Sequence, residues 1–265
     1  LVNIYGVDIE RGAVDIARLR FWLSLIVDEK SPEALPNLDF QIMQGNSLLE
    51  QYKGADLSTM TENNPESGHG ITLFDSMLDV YRKNLRDKLA EYYACPEHDK
   101  KDQLRKDIAD IVKQELSEQG IHIDFADLDL SANSQFFLWH SWFHDVFSRP
   151  SKEGFDIVIG NPRYGAKYDN ETKRYYKNTY VTANSIRGLQ KGSLDTYTLF
   201  IELGYNLLRR DGSFAYIVPI SLTSSDSLTG VHRILMGNCD TIHISSYAVR
   251  PKPVFENAVV NTSIH

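Results

Sequence analysis

Two hydrophobic periods alternate along the chain. Ile4-Tyr5-Gly6-Val7-Asp8-Ile9 is a short apolar run that closes on an acid, and after Gly12 the apolar positions Ala13, Ile16, Ala17, Leu23 and Ile26 recur at helical spacing. This predicts a strand, a turn and a helix. Residues 39–44 predict a second strand, ending on Gly45-Asn46-Ser47. Phe155-Asp156-Ile157-Val158-Ile159 predicts a third, of the kind expected when both faces are covered. A helix over about 194–209 follows, then a strand at 214–218 stopped by Pro219, and strands near 241–247 and 258–264. Strands alternating with helices predict an α/β fold, a mostly parallel sheet with helices on both faces.

Roughly 110 residues separate the second and third strands, far beyond the dozen that a parallel crossover needs. Apolar positions Phe74, Met77, Leu78, Tyr81, Leu85, Leu89 and Tyr92 mark one helix over 73–93. Leu104, Ile108, Ile111, Val112 and Leu116 mark another over 100–119, and Cys95-Pro96-Glu97-His98-Asp99 breaks the two. An inserted helical hairpin is expected after a polar loop at 59–70, either as a solvated coiled-coil-like arm or as an arm that binds a partner.

Composition narrows the class. With 42% hydrophobic and 24% charged residues, the 265-residue chain is an ordinary globular one. No run approaches the ~20 apolar residues of a membrane span. Two cysteines, Cys95 and Cys239, make neither a disulfide scaffold nor a metal-ligand spacing, so a reducing cytoplasm is the expected compartment. The net charge of −8 does not suggest a nucleic-acid partner. Leu1, not Met, opens the chain three residues before a strand, so the chain is expected to be a piece of a longer protein.

The richest string is Asp156-Ile157-Val158-Ile159-Gly160-Asn161-Pro162-Arg163-Tyr164. It sets a side-chain amide and an aromatic ring at the carboxyl edge of a sheet, where open α/β folds bind ligands. A plain Asn-Pro turn is the competing explanation. The string resembles the Asn-Pro-Pro-Tyr motif of N6-adenine DNA methyltransferases, in particular the methylase domain of type IIG restriction-modification enzymes and BREX-type phage-defence methylases. The likeness extends along the chain. Ile4-Tyr5-Gly6-Val7-Asp8-Ile9-Glu10 is similar to the family's second strand and Gly45-Asn46-Ser47-Leu48-Leu49 to its next motif. The aromatic run 136–143, the segment 195–204, Ile217-Val218-Pro219 and the stretch 254–262 follow in the family's order.

The resemblance implies a Rossmann-like class I methyltransferase sheet, mostly parallel with an antiparallel last strand, interrupted by the helical hairpin and with its first strand outside this chain. Residues 1–50 are then part of the cofactor-binding half, 51–135 an inserted helical arm, and 136–265 the catalytic half. The implied cofactor is S-adenosyl-L-methionine, with Asp8 on the ribose, Ile9 against the adenine, and Asn46 and Ser47 nearby; Glu10 is the competing acid. The implied substrate is double-stranded DNA with a flipped adenine. The Asn161 side-chain oxygen and the Pro162 carbonyl accept the two amino hydrogens, and Tyr164 stacks on the base. Arg163 stands where the family usually has Pro, which loosens the loop or supplies a phosphate contact. The family's aromatic-x-Gly-x-Gly cofactor turn has no match here, so the isolated chain is expected to be inactive. A fused nuclease and a specificity domain are expected outside it.

Local charge then departs from the total. Residues 161–192 carry seven Lys or Arg against two acids, a net +5, while residues 75–129 sum to −5. Arg163, Lys167, Lys173, Arg174 and Lys177 are the candidate DNA contacts, with Tyr168, Tyr175, Tyr176 and Tyr180 interleaved as stacking candidates. A solvated basic loop is the alternative. His140 and His144 are four apart, and Asp156 with Glu171-Thr172-Lys173 has the spacing of a magnesium nuclease signature, but neither context suits a metal and none is expected. Two other functions remain open: methylation of RNA or protein glutamine by the same fold, and a degenerate DNA-docking module.

Overall fold

The computed structural model describes residues 3–28, 37–52, 55–57, 73–95, 97–118, 129–165, 167–247 and 262–264. The chain divides into two compact units, Leu1–Asp145 and Val146–His265.

In the first unit, β1 (Gly6–Asp8) turns into α1 (Arg11–Asp28), and β2 (Ile42–Gln44) returns parallel to β1 in the register Gly6↔Ile42, Val7↔Met43, Asp8↔Gln44. The crossover helix is what lets adjacent strands run parallel. Val14 is the point of α1 buried against Leu38 and Ile42, with Ala17, Phe21 and Trp22 packed around it. Ile16, Leu23 and Ile26, expected to form the packed stripe, are exposed. The helix is therefore apolar on two sides, and the stripe through Val14, Ala17 and Phe21 is the one that meets β2. A two-rung antiparallel ladder of β3 (Gln51–Tyr52) and β4 (Ala55–Asp56) follows, short enough to leave no periodic signal.

Helices α2 (Leu73–Ala94) and α3 (His98–Glu118) occupy the two periodic stretches of the insertion. They bury Leu85, Tyr92, Leu104, Ile108, Val112 and Leu116. Their root is docked rather than solvated. The Tyr92 ring meets Phe40 edge-on at 4.9 Å. Its hydroxyl donates to Asp39 Oδ2 at 2.5 Å and Arg105 donates to the same oxygen at 3.0 Å, while Arg18 of α1 pairs with Asp39 Oδ1 at 3.2 Å. Arg18 also donates to the carbonyls of Asp39 and Ile42. One carboxylate thus ties α1, α2 and α3 to the entry of β2. The polar loop expected at 59–70 lies outside the described residues.

The aromatic run forms two single turns, α4 (Trp139–Trp142) and α5 (His144–Phe147), interrupted at Phe143. His140 and His144 consequently do not share one helical face.

In the second unit, β5 (Phe155–Gly160) is followed by α6 (Asn170–Thr179), α7 (Thr196–Leu207), β6 (Leu208–Pro219), α8 (Thr229–Asn238), β7 (Ser245–Tyr247) and β8 (Thr262–Ile264). The sheet order is β5-β6-β8-β7, with β5 and β6 parallel and β8 antiparallel to both its neighbours. Of the strand expected at 258–264, residues 258–261 lie outside the described residues. Strand β6 starts six residues before the expected Phe214 because Leu208 pairs with Phe155 and Ser213 with Ile157. Residues 209–212 bulge between these rungs, with Asp211 in the left-handed region at φ 60°.

One face of this sheet is packed: Tyr197, Ile201, Tyr216, Val218, Leu222, Leu228, Val231 and Leu235 form a core joined by Val158, Tyr164, Phe200 and Phe214. The other face of β5 is open, with Ile157 69% and Ile159 76% exposed. Coverage of both faces, expected from the apolar run, is not present among the described residues of this unit: α7 packs beneath Val158, and side chains alternate along a strand, so Ile157 and Ile159 point the other way. No helix among the described residues is long and apolar enough to cross a membrane.

Candidate active site

The first unit presents the carboxyl ends of β1 and β2 side by side, since Asp8 pairs with Gln44. Asp8 is exposed there; its Oδ1 accepts from Glu10 N at 2.8 Å and its carbonyl from Gly45 N at 2.9 Å. The first of these bonds turns the chain into α1, whose first amides, Ala13 N and Val14 N, reach the Glu10 carbonyl at 3.0 and 3.2 Å. No bond to Asp8 Oδ2 is formed among the described residues, which leaves that oxygen as an acceptor at the edge. Ile9 is exposed beside it. Gln44 Nε2 holds the Ile9 carbonyl at 3.0 Å, a contact foreshadowed only by a polar residue closing an apolar strand.

Asn46 is half-buried, and its Oδ1 accepts from Leu48 N at 3.3 Å, an Asx turn that leaves a lone pair on that oxygen. Ser47 is buried, and its carbonyl accepts from Trp139 Nε1 at 3.0 Å. The aromatic run holds this loop through its backbone as well: Asn46 N donates to Phe136 O at 3.3 Å and Phe137 N to Leu49 O at 2.9 Å. The structure thus brings Asp8, Ile9, Asn46 and Ser47 to one edge, with Ser47 turned inward. An exposed acid that can accept from vicinal hydroxyls, an apolar side chain and an amide acceptor suit a nucleoside.

In the second unit, β5 delivers Asn161, exposed, and Pro162, buried, to the carboxyl edge of the sheet. The approach is fixed by a ring between two glycines. A Cβ on Gly160 would lie 2.4 Å from Tyr216 Cε1, and one on Gly204 of α7 would lie 2.3 Å from the Tyr216 hydroxyl oxygen. Only glycine at both positions lets the buried Tyr216 ring pass under the strand end. Tyr164 turns back over β6: its hydroxyl donates to the Ile217 carbonyl at 3.0 Å and its ring stands perpendicular to Tyr197 at 6.2 Å. Partial burial raises its phenol above the ordinary value.

Arg163, Lys167, Lys173, Arg174 and Lys177 are all exposed. Asp169 caps α6, accepting from Thr172 N at 2.7 Å, and those amide bonds hold its carboxyl below the usual range. Lys167, Tyr168, Lys173 and residues 192–195 line an open cleft of about 550 Å³. The interleaved tyrosines depart from expectation. Tyr175, Tyr176 and Tyr180 are buried, and Tyr168 shares a 2.5 Å hydrogen bond with Thr196. On a helix the pattern Lys173-Arg174-Tyr175-Tyr176-Lys177 sends the aromatic rings inward and the cations outward, so these three rings brace α6 instead of meeting solvent.

Asp156 sits at the other end of β5, five residues or roughly 16 Å along the strand from Asn161. Hydrogen bonds from Arg209 and then Arg149 hold its carboxyl at about 2. Glu171 lies in the first turn of α6, not on a strand. Among the described residues there is no group of three His, Cys, Asp or Glu able to hold a metal ion.

The sequence compares closely with one family. Aligned with a type II methyltransferase of Thermus thermophilus, it is 32% identical over 114 residues, 38% of this chain and 23% of that protein. It is 23% identical along its whole length to 25% of a Methanocaldococcus jannaschii protein described as a candidate type II restriction enzyme and methyltransferase. The chain therefore spans about a quarter of the length of these curated relatives. The family model for Eco57I restriction-modification methylases matches residues 2–255. The chain belongs to the Eco57I restriction-modification methylase family.

Proposed function

We propose that the chain carries the nucleoside-binding and base-binding parts of an adenine-N6 DNA methyltransferase of a restriction-modification or phage-defence system. The observation that carries this reading is the loop Asn161-Pro162-Arg163-Tyr164, held by Tyr216 beneath it and by the Tyr164–Ile217 hydrogen bond beyond it, inside a chain of this methylase family. The order β5-β6-β8-β7 with an antiparallel last strand supports a Rossmann-like class I sheet. In functional terms residues 1–50 serve the cofactor, 51–135 are an inserted arm, and 136–265 serve the base.

S-adenosylmethionine, when bound, supplies an electrophilic methyl on a sulfonium. Asp8 would hold its ribose hydroxyls, Ile9 and Asn46 its adenine, with Ser47 fixing the loop backbone. An exocyclic adenine amine is a poor nucleophile because its lone pair is delocalised into the ring. The Asn161 Oδ1 and Pro162 carbonyl each accept one amino hydrogen, which favours a pyramidal nitrogen with an available lone pair. Tyr164 offers its ring to a flipped base, and its anchored hydroxyl fixes the ring plane. Positioning accounts for most of the catalysis; the amine nitrogen takes the methyl, leaving a neutral thioether, and the methylated, now cationic nitrogen releases one amino proton to solvent, so no general base is required. Arg163, Lys167, Lys173, Arg174 and Lys177 supply the phosphate-facing charge.

The test is transfer of radiolabelled methyl by the full-length protein to duplex DNA, RNA and protein, with nucleoside mass spectrometry of the product. N6-methyladenine in DNA, abolished by Asn161→Ala, supports the reading; transfer to RNA or protein alone overturns it.

A further inference from the structure

Residues 180–193 leave the core of the second unit as a loop whose frame is fixed at most of its backbone amides. Glu202, buried on α7, accepts from Val181 N at 2.7 Å, Thr182 N at 2.8 Å and Thr182 Oγ1 at 2.5 Å. Gln190, also buried, donates to the carbonyls of Val181 at 3.0 Å and Asn184 at 2.9 Å, and accepts from Arg233 at 2.9 Å. Gly192 N reaches Ser185 Oγ at 3.0 Å, and Lys191 N reaches Thr229 Oγ1 at 2.7 Å. The tip closes on itself: Ile186 N donates to Gln190 O at 2.9 Å, Gln190 N returns the bond at 2.9 Å, and Gly188 takes φ +72° to make the turn.

This frame displays two aliphatic side chains at its tip. Ile186 is 41% and Leu189 52% exposed, one on each side of Gly188, with Arg187 and Lys191 exposed beside them. Two aliphatic side chains on an ordered tip forgo the hydrophobic gain of burial, and neither belongs to the packed core found among the described residues of this unit. They lie inside the most basic stretch of the chain, the net +5 of residues 161–192, and the end of their loop, Gly192 and Ser193, lines the same cleft as Lys167 and Tyr168, which follow Tyr164 closely in sequence. An apolar point flanked in sequence by two exposed cations matches a duplex, whose phosphates lie outside and whose stacked bases lie within. The frame is ordered before binding, so little conformational entropy remains to be given up.

We propose that the Ile186–Leu189 tip is a wedge that enters DNA beside the target adenine and occupies the space the extruded base leaves, with Arg187 and Lys191 on the flanking phosphates. This rests on the adenine-methyltransferase reading above. Extrusion costs the stacking and pairing of one base, and an apolar side chain inserted between base steps offsets part of that cost.

The test uses the full-length protein, a duplex carrying a site it methylates in genomic DNA, and the same duplex with 2-aminopurine in place of the target adenine. Ile186→Ser/Leu189→Ser keeps the turn and its hydrogen bonds. It should bind duplex as the wild type does, lose the fluorescence rise of base extrusion, and methylate duplex at least about tenfold more slowly, the factor that each ~1.4 kcal/mol of unrecovered cost carries. A mismatch opposite the target, which leaves the base already unstacked, should restore its rate. Arg187→Ala/Lys191→Ala should instead weaken binding and flatten its salt dependence by a slope of about 1 for each phosphate no longer neutralised. Normal extrusion by the serine variant, or an equal loss on matched and mismatched DNA, overturns the wedge and points to a structural role or a protein partner for the tip. Absence of any methyl transfer to DNA by the wild type would sink the underlying reading, and the wedge with it.

Discussion

Replacing Gly160 with alanine asks most directly whether the strand end positions chemistry. The new Cβ would lie 2.4 Å from Tyr216 Cε1 and 2.9 Å from Cδ1. Ordinary carbon contacts need about 3.5 Å, so strand and ring must part by roughly 1 Å. The ring has nowhere to retreat, because on its far side its hydroxyl is already against Gly204, and the core around it is close-packed. The strand end therefore moves and carries Asn161 with it. Overpacking of this kind costs about 1–3 kcal/mol of stability, and a 1 Å misplacement of a reacting group costs about a hundredfold in rate. Thermal unfolding and single-turnover methyl transfer by the full-length protein measure the two effects. Gly160→Ala/Tyr216→Leu, which removes the obstruction, should recover much of the stability. A Gly160→Ala protein with wild-type melting temperature and wild-type kcat would refute the claim that Tyr216 sets the position of Asn161.

Glu202→Ala strips the acceptor from two amides and a hydroxyl at residues 181–182 and should lower stability by about 2–4 kcal/mol in urea titration, with the loss spread through the 180–193 loop in hydrogen exchange; a shift below about 1 kcal/mol would mean that water replaces the carboxylate. Asp39→Ala should cost about 2 kcal/mol, limited by the partial exposure of Arg105, and should speed exchange at the root of α2 and α3 while leaving β5 and β6 unchanged. Asp156, held at about 2 by Arg209 and Arg149, binds its proton more weakly folded than unfolded, so its contribution is complete above the ordinary carboxylate value near 4 and fades as pH falls toward 2; Asp156→Asn should flatten the stability profile in that window alone.

Much of the fold could be read from periodicity because its elements are long or locally marked. Helices α2 and α3 repeat apolar residues over six turns, and the β1–α1–β2 order follows from an apolar run, a turn and a second apolar run. The placement of the candidate residues was legible where they are contiguous: Asn161 through Tyr164 stand at a strand end, and Asp8 and Asn46 lie at the ends of neighbouring parallel strands. What could not be read depends on partners distant in sequence. Nothing near Tyr216 announces that it fits between Gly160 and Gly204, and nothing near Ile217 announces that its carbonyl holds Tyr164. Spacing alone also does not say which side of a two-sided apolar helix packs, as Val14 and Ile16 show, nor whether tyrosines among lysines face solvent or the core. The start of β6 was hidden because Arg209-Arg210-Asp211-Gly212 has the composition of a turn, while Leu208 before it already pairs with Phe155.

The Asp39 carboxylate bears on the order in which the first unit assembles. Its bonds to Tyr92 and Arg105 span 53 and 66 residues of chain, so they close only after the slow search that large loops impose. Helices α2 and α3 are built from local contacts, of the kind that form on the microsecond scale. The hairpin is then complete before the start of β2 is fixed, and pulse-labelled exchange should find α3 amides protected ahead of those of Ile42 and Met43. A stretch inserted between β2 and β5 thereby becomes the last fastener of the strand edge that carries Asn46.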